Sequence, residues 1–266
     1  MRAFEDDLGR VVYLPGPPQR IVSLCPSVTE TLFVLGAGPR VVGRTRYCVH
    51  PADDVSDVPV VGGTQDVDLE AVLRLRPELV IATREENRRE TVDALAAAVP
   101  VYVVDVRSYE QALTMIQSLG ALTGQVGQAA ALVADISGRF SRLARSEGYT
   151  AAYLVWLDPC MVAGSGTYIH TLLERCGISN VCAHLPGRYP CVSLSELRRL
   201  SPRLLLLPSE PFPFSAQHEA ALSLRFPDAI VTSVDGEMFG WYGARMRQAA
   251  DYLREWLVTL GGQVPA

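Results

Sequence analysis

The chain contains no lysine; all 24 of its basic Lys+Arg positions are arginine. That absence excludes a Schiff-base nucleophile and the lysine of a phosphate-binding P-loop. Positive charge is also in the minority, 24 against 29 acidic residues for a net charge of −5. Sequence-independent nucleic-acid binding needs clustered positive charge, so no nucleic-acid partner is expected. No apolar run approaches the roughly 18 residues needed to span a bilayer. The six cysteines form no CxxC pair and are too sparse for a disulfide scaffold, and most read as buried thiols. There is no GxGxxG after a strand, no GxSxG elbow and no HExxH, so nucleotide, serine-hydrolase and zinc-peptidase fingerprints are missing. The opening MRAFEDDLGRVVYL carries acids where a signal peptide is apolar. A cytoplasmic location follows unless a leader is missing, in which case a periplasmic or cell-surface one does.

What is present is a globular composition, 48% apolar and 20% charged over 266 residues, enough for one large domain or two of about 130 residues. After a polar lead-in over residues 1–19, short apolar runs alternate with helical periods. Ile21–Leu24 is followed by a helix over Val28–Leu35, with Ser27 or Thr29 as its cap and Gly36 at its end. Asp68 caps a helix that Pro77 ends, and Leu79–Ala82, Val101–Asp105 and Ala151–Leu157 read as strands. Such alternation predicts βαβ units and a mostly parallel sheet. From Tyr109 to about Ser146 there is no proline, and apolar residues recur every three or four positions. This predicts one long helix, bent or broken near Gly120, Gly124 and Gly127.

The second half repeats the first. Leu69–Ala82 lies against Leu194–Leu207 at a constant offset of 125, each reading helix, proline, apolar strand. The expected architecture is therefore α/β: two Rossmann-like lobes bridged by one long α-helix, with an N-terminal lobe over 1–107, the bridging helix over 108–148 and a C-terminal lobe over 149–266. A cleft between such lobes is a preferred place for a small ligand.

Polar and ring-bearing residues gather where strands turn into helices. Cys48 and His50 follow one strand, two apart, and in extended chain would share a face, offering a thiolate and an imidazole to a metal. Glu85 and Glu86 follow the next strand, and Glu210 occupies the repeat-related position of Glu85. Arg188 and Tyr189 offer a cation and a ring. Trp241 and Tyr242, flanked by glycines, suit a flat ligand. The expected ligand set is Tyr47, Cys48, His50, Glu85, Glu86, Arg188, Tyr189, Trp241 and Tyr242, with His50 and Cys48 as metal donors. No catalytic residue is expected, because no nucleophile can be paired with a base.

RIVSLCPSVTETLFVLGAGPRVVGRT, VGGTQDVDLEAVLRLRPELVIAT and SLSELRRLSPRLLLLPS resemble the substrate-binding proteins of cobalamin, haem and ferric-siderophore ABC importers, over about residues 20–260. Similar YCxHP, EEN, RYP, PSEP and WYG segments place the likeness in the cobalamin-type branch. The resemblance implies two lobes joined by a helix, and delivery of a small metal-chelate ligand to a membrane permease without chemistry. It also implies no intrinsic cofactor and a monomer. His50 falls where a cobalamin-binding relative has a ligand-facing aromatic, and Tyr189 where it has a stacking tryptophan. Thr64 and Thr83 replace two others, so a more polar pocket is expected. The family docks its permease through one acid per lobe. Glu70 matches the first; the second aligns with Ser195, with Glu196 one residue away. The competing readings are a cytoplasmic metal or cofactor carrier on the same fold and, third, a metal-dependent enzyme.

Overall fold

The computed structural model describes residues 1–146 and 148–261; the last five positions of the expected C-terminal lobe, and Glu147 of the expected bridge, lie outside the described residues. The chain divides into two compact units. The first takes residues 1–106, 110–135 and 243–245; the second takes 107–109, 136–242 and the chain from Met246 on.

The first unit opens with an antiparallel hairpin, β1 (Arg2–Glu5) and β2 (Val11–Leu14). The sequence reading had only a polar lead-in here. The alternation of VVYL, with Val12 and Leu14 buried and Val11 and Tyr13 exposed, is the signal for the second strand. Asp6 ties the hairpin down: its carboxylate accepts the backbone N–H groups of Leu8 and Arg10 at 3.0 and 2.9 Å and that of Val103 at 3.2 Å. There follow β3 (Ile21–Ser23), α1 (Pro26–Val34), β4 (Val41–Arg44), α2 (Ala52–Val55), α3 (Leu69–Arg74), β5 (Leu79–Thr83), α4 (Arg89–Ala96) and β6 (Val101–Val104). The four strands β3 to β6 form an all-parallel sheet in the order β4-β3-β5-β6. Every residue of β5 and β6 is buried, as expected for a parallel sheet covered on both faces. Val22, Leu24, Val80, Ala82, Val101 and Val103 pack with Val72 of α3 and with Val92 and Leu95 of α4. The expected side-chain cap on α1 is absent. Pro26 opens that helix, and proline at the first position needs no donor. Its threonines turn inward instead, Thr31 Oγ1 donating to Ser27 O at 2.7 Å.

The proline-free stretch is two helices, α5 (Tyr109–Thr123) and α6 (Val126–Phe140). Gly124 separates them at φ +72°, and the Gln125 N–H bonds back to Gly120 O at 2.7 Å. This is the glycine-dependent closure that ends a helix, so the apolar stripe continues while the rod does not. Residues beyond Phe140 leave the helix. The first unit also holds residues 243–245. Arg245 Nε and Nη2 reach Glu30 Oε2 and Oε1 of α1 at 3.0 and 2.9 Å, both side chains nearly fully buried. The Ala244 N–H donates to Thr31 Oγ1 at 3.0 Å.

The second unit contains β7 (Tyr149–Leu157), β8 (Cys160–Val162), α7 (Tyr168–Arg175), β9 (Ile178–Asn180), α8 (Leu194–Arg199), β10 (Leu204–Pro208), α9 (Ala216–Arg225), β11 (Ile230–Val234), α10 (Gly236–Gly240) and α11 (Met246–Gly261). Its parallel strands run β9-β7-β10-β11, and β8 adds antiparallel to the end of β7. This order reproduces that of the first unit. The offset of 125 is kept residue for residue: α3 and α8, β5 and β10, the capping residues Asp68 and Ser193, and the left-handed residues Arg76 and Ser201.

All six cysteines are free thiols; Cys191 is exposed and the other five are buried. Burial pushes Cys160 up to about 11, and Cys176 and Cys182 up to about 12, from an ordinary 9.0. Native-state alkylation followed by mass measurement is expected to add one group, at Cys191, and six after unfolding in denaturant. Between 9.0 and those raised values the unfolded chain releases thiol protons that the folded chain retains. Stability measured by urea titration is therefore expected to be full below pH 9 and to fall as pH rises above it.

Candidate functional site

Parallel α/β sheets keep ligand sites beyond the carboxyl ends of their strands. In the first unit the loops leaving β3, β4 and β5 are knitted together there. Asn87, buried, is the knot: its Oδ1 accepts the Thr83 N–H at 2.8 Å, and its Nδ2 donates to Leu24 O at 3.2 Å and Thr64 O at 2.9 Å. Cys25 Sγ lies 3.1 Å from Glu86 Oε1. Burial and then the adjacent Glu86 carboxylate hold the Cys25 thiol well above its ordinary range, so it keeps its proton and donates. Gln65 Nε2 donates to Glu86 O. Arg46 grips both carboxylate oxygens of Asp66 at 3.0 and 2.8 Å, its guanidinium 5.7 Å from the Tyr47 ring centre. The hydrogen bonds from Arg46 lower the Asp66 carboxyl below its usual range.

These loops carry five of the expected ligand residues. Tyr47 is exposed; His50, Glu85 and Glu86 are half-buried; Cys48 is fully buried. Cys48 is buried, whereas His50 is half-buried. The chain turns, Cys48 N–H bonding to Thr45 O at 3.1 Å, and the sulfur goes inward to lie 3.1 Å from Thr29 Oγ1 and from Thr45 Oγ1. Burial raises this thiol despite those hydroxyls, which opposes the thiolate that metal ligation needs. Among the described residues no group of three or more His, Cys, Asp or Glu side chains is placed to hold a metal ion.

In the second unit the corresponding loops carry rings. Glu210, two residues beyond β10, accepts the indole N–H of Trp241 at 2.6 Å. Trp241 and Tyr242 follow α10 and are nearly buried, with Tyr242 packed edge-on against Tyr168 at 5.9 Å between ring centres. Tyr189 and Arg188 are half-buried on a loop held by the Gly164 N–H, which donates to Arg188 O at 2.8 Å. Burial, followed by the Glu210 carboxylate and Tyr189, drives the buried Tyr153 hydroxyl well above its ordinary range, so Tyr153, Glu210 and Tyr189 form one neighbourhood. Sequence reasoning passed over a further aromatic group. Trp156 packs on Phe212 at 5.2 Å, and Phe212 on Phe214 and His218 at 4.7 and 5.4 Å. Rings at alternate positions in the proline-spaced EPFPF segment were the available signal. His218 caps α9 by accepting the Ser215 N–H at Nδ1, 3.0 Å away.

The two docking acids differ. Glu70 is exposed in the first turn of α3. Glu196 is exposed too, but its Oε2 is engaged by the Ser193 N–H and hydroxyl at 2.8 and 2.7 Å, which lowers its pKa. A hollow of about 510 Å³ lies beside it, lined by Leu185, Pro186, Cys191 and Arg199 among others.

Two units of repeated topology, with polar and aromatic loops at the carboxyl ends of their strands, define an α/β protein built to capture a ligand. The model of the family described as periplasmic binding protein matches residues 21–219, and the chain belongs to that family. It is 26% identical over 251 residues to the vitamin B12-binding protein of Pectobacterium carotovorum subsp. carotovorum (strain PC1), covering 91% of this chain and 90% of that one. Its fold matches that of the periplasmic haem-binding protein of Roseiflexus sp. RS-1, with a TM-score of 0.75 and 22% identity over 90% of this chain and 97% of that one. It also matches an ABC-type Fe3+-hydroxamate transport system protein from Saccharomonospora viridis DSM 43017, with a TM-score of 0.75 and 22% identity over 98% and 99% of the two chains. The matched family and these relatives are binding proteins. Among the described residues no helix is long and apolar enough to cross a membrane.

Proposed function

We propose that this chain is the substrate-binding protein of an ABC importer, capturing a metal chelate (a corrinoid, haem or ferric siderophore) outside the cytoplasmic membrane and handing it to a permease. The observation that carries the reading is the likeness to a vitamin B12-binding protein along nine-tenths of both chains. The loop chemistry agrees with it. The first unit offers Tyr47, His50, Glu85 and Glu86, and the second Arg188, Tyr189, Trp241 and Tyr242: rings for a flat ligand, a cation for carboxylates, and hydrogen-bonding groups for a polar periphery. The chelate arrives with its own metal, so a protein thiolate is not required, consistent with the inward-facing Cys48. His50 either packs on the ligand or ligates its metal. The chain acts as a monomer.

Titrating purified chain with cyanocobalamin, haemin and a ferric hydroxamate, followed by tryptophan fluorescence, tests this. Saturable binding of one of them is expected, and His50→Ala should weaken it by about 1–3 kcal/mol. Tight wild-type binding left untouched by His50→Ala removes His50 from the site.

Docking is proposed to rest on Glu70 in the first unit, with Glu196 the weaker contributor because its carboxylate already closes a capping box. Glu70→Arg is expected to reduce ligand uptake by a reconstituted transporter severalfold while leaving ligand affinity unchanged, since exposed charges steer protein partners. Unimpaired uptake would contradict this role.

A further inference from the structure

The geometry points to Glu210 as a positioning residue for ligand capture: it fixes the indole of Trp241 and so sets the ring that the second unit presents to the chelate. This rests on the function proposed above. The bond from Trp241 Nε1 to Glu210 Oε1 is 2.6 Å, short for a nitrogen donor and of the charge-assisted kind. An indole N–H is satisfied by any neutral acceptor, such as a backbone carbonyl; Trp156 uses one, donating to Asp158 O at 3.1 Å.

The loop carrying Glu210 is itself held rigidly. Ser209 N–H donates to Val234 O at 3.0 Å, and Ser209 Oγ accepts the Gly236 N–H at 2.9 Å. Gly236 has no room for a side chain, since a Cβ there would sit 2.7 Å from Glu210 Cγ and 2.9 Å from Glu210 N and O. The loops leaving β10 and β11 are thus in direct contact at Glu210, and the indole is locked to that contact. The backbone N–H of Trp241 is fixed as well, donating to Glu237 O at 3.0 Å. The first unit uses the same device in other chemistry. There the acid after β5 is Glu86, and the Cys25 thiol of a neighbouring loop donates to it at 3.1 Å. In both units an acid just past the third parallel strand bonds a side chain of an adjacent exit loop.

The test compares wild type with Glu210→Ala, Glu210→Gln and Ser209→Ala. The protein has three tryptophans, and the indole N–H resonance of Trp241 is identified by its loss in Trp241→Phe. That resonance is expected to move upfield in Glu210→Ala while the other two stay in place. Affinity for whichever of cyanocobalamin, haemin or ferric hydroxamate the wild type binds should fall about tenfold in Glu210→Ala and stay within about threefold in Glu210→Gln, which keeps an acceptor. Ser209→Ala loosens the same loop without touching the carboxylate, and should lower the melting temperature without moving the indole signal. A wild type that binds a chelate which Glu210→Ala binds equally well overturns this role and leaves the proposed function standing. An unmoved indole resonance in Glu210→Ala overturns it too. A wild type that binds none of the three overturns the function and this role with it.

Discussion

Arg245→Ala is expected to lower the free energy of unfolding by about 3–5 kcal/mol, because it strands a buried carboxylate. Arg245 reaches both oxygens of Glu30 at 2.9–3.0 Å, with side-chain exposures of 8% and 7%. Removing the guanidinium takes both of these bonds from a carboxylate that is nearly fully buried. The pair also holds residues 243–245 against α1, where the Ala244 N–H meets Thr31 Oγ1. The double variant Glu30→Leu/Arg245→Met removes both charges at similar volume and should recover most of the loss. Urea unfolding of the three proteins reads this directly. A loss below about 1 kcal/mol in Arg245→Ala would mean that the pair behaves like an exposed one.

Asn87→Leu should be nearly as damaging, by about 3 kcal/mol, for a different reason. Leucine is close in size but returns none of the three bonds to Thr83, Leu24 and Thr64. These backbone groups lie at the end of β5, just after β3 and in the chain between β4 and α3, so the cost falls on the arrangement that carries Glu85 and Glu86. Asn87→Asp is expected to lie between wild type and Asn87→Leu: it keeps the acceptor for Thr83 N–H and loses both donors. Calorimetric melting together with chelate titration separates the effects. A variant that melts like wild type and binds like it would show that the three loops do not depend on this side chain.

The fold was legible because it is written twice. Offset 125 carries a capping residue, a six-residue helix, a left-handed residue and a buried five-residue strand into both halves. Agreement at that level is hard to reach by chance. The N-terminal hairpin was less visible, since its strands are four residues long and its anchor, Asp6, is polar. The long helical stripe was read as helix with a bend or break near Gly120, Gly124 and Gly127, and the break falls at Gly124. Periodicity reports which face is apolar, whereas a glycine at φ +72° decides where the axis stops.

The candidate site was legible only in part. Its loops were found from residue type and from position after strands. The orientation of side chains was not: the Cys48 sulfur lies against the hydroxyls of Thr29 and Thr45, partners that spacing does not announce. Asn87, seen only within the EEN segment, and Cys25 were given no role, because their work is to bond chain that is distant in sequence, at separations of 63 and 61 residues. No local pattern encodes that. Glu210 was noticed through the repeat, but its bond to Trp241, 31 residues on, was not.

The central claim is that this chain captures a metal chelate, and native mass spectrometry of the purified chain after equilibration with a mixture of cyanocobalamin, haemin and a ferric hydroxamate tests it most directly. The account predicts one new species, the mass of the chain plus a single chelate with its metal retained, which disappears when that chelate is left out. A spectrum showing only the unliganded chain, or a bare metal ion taken up without its chelate, would contradict it.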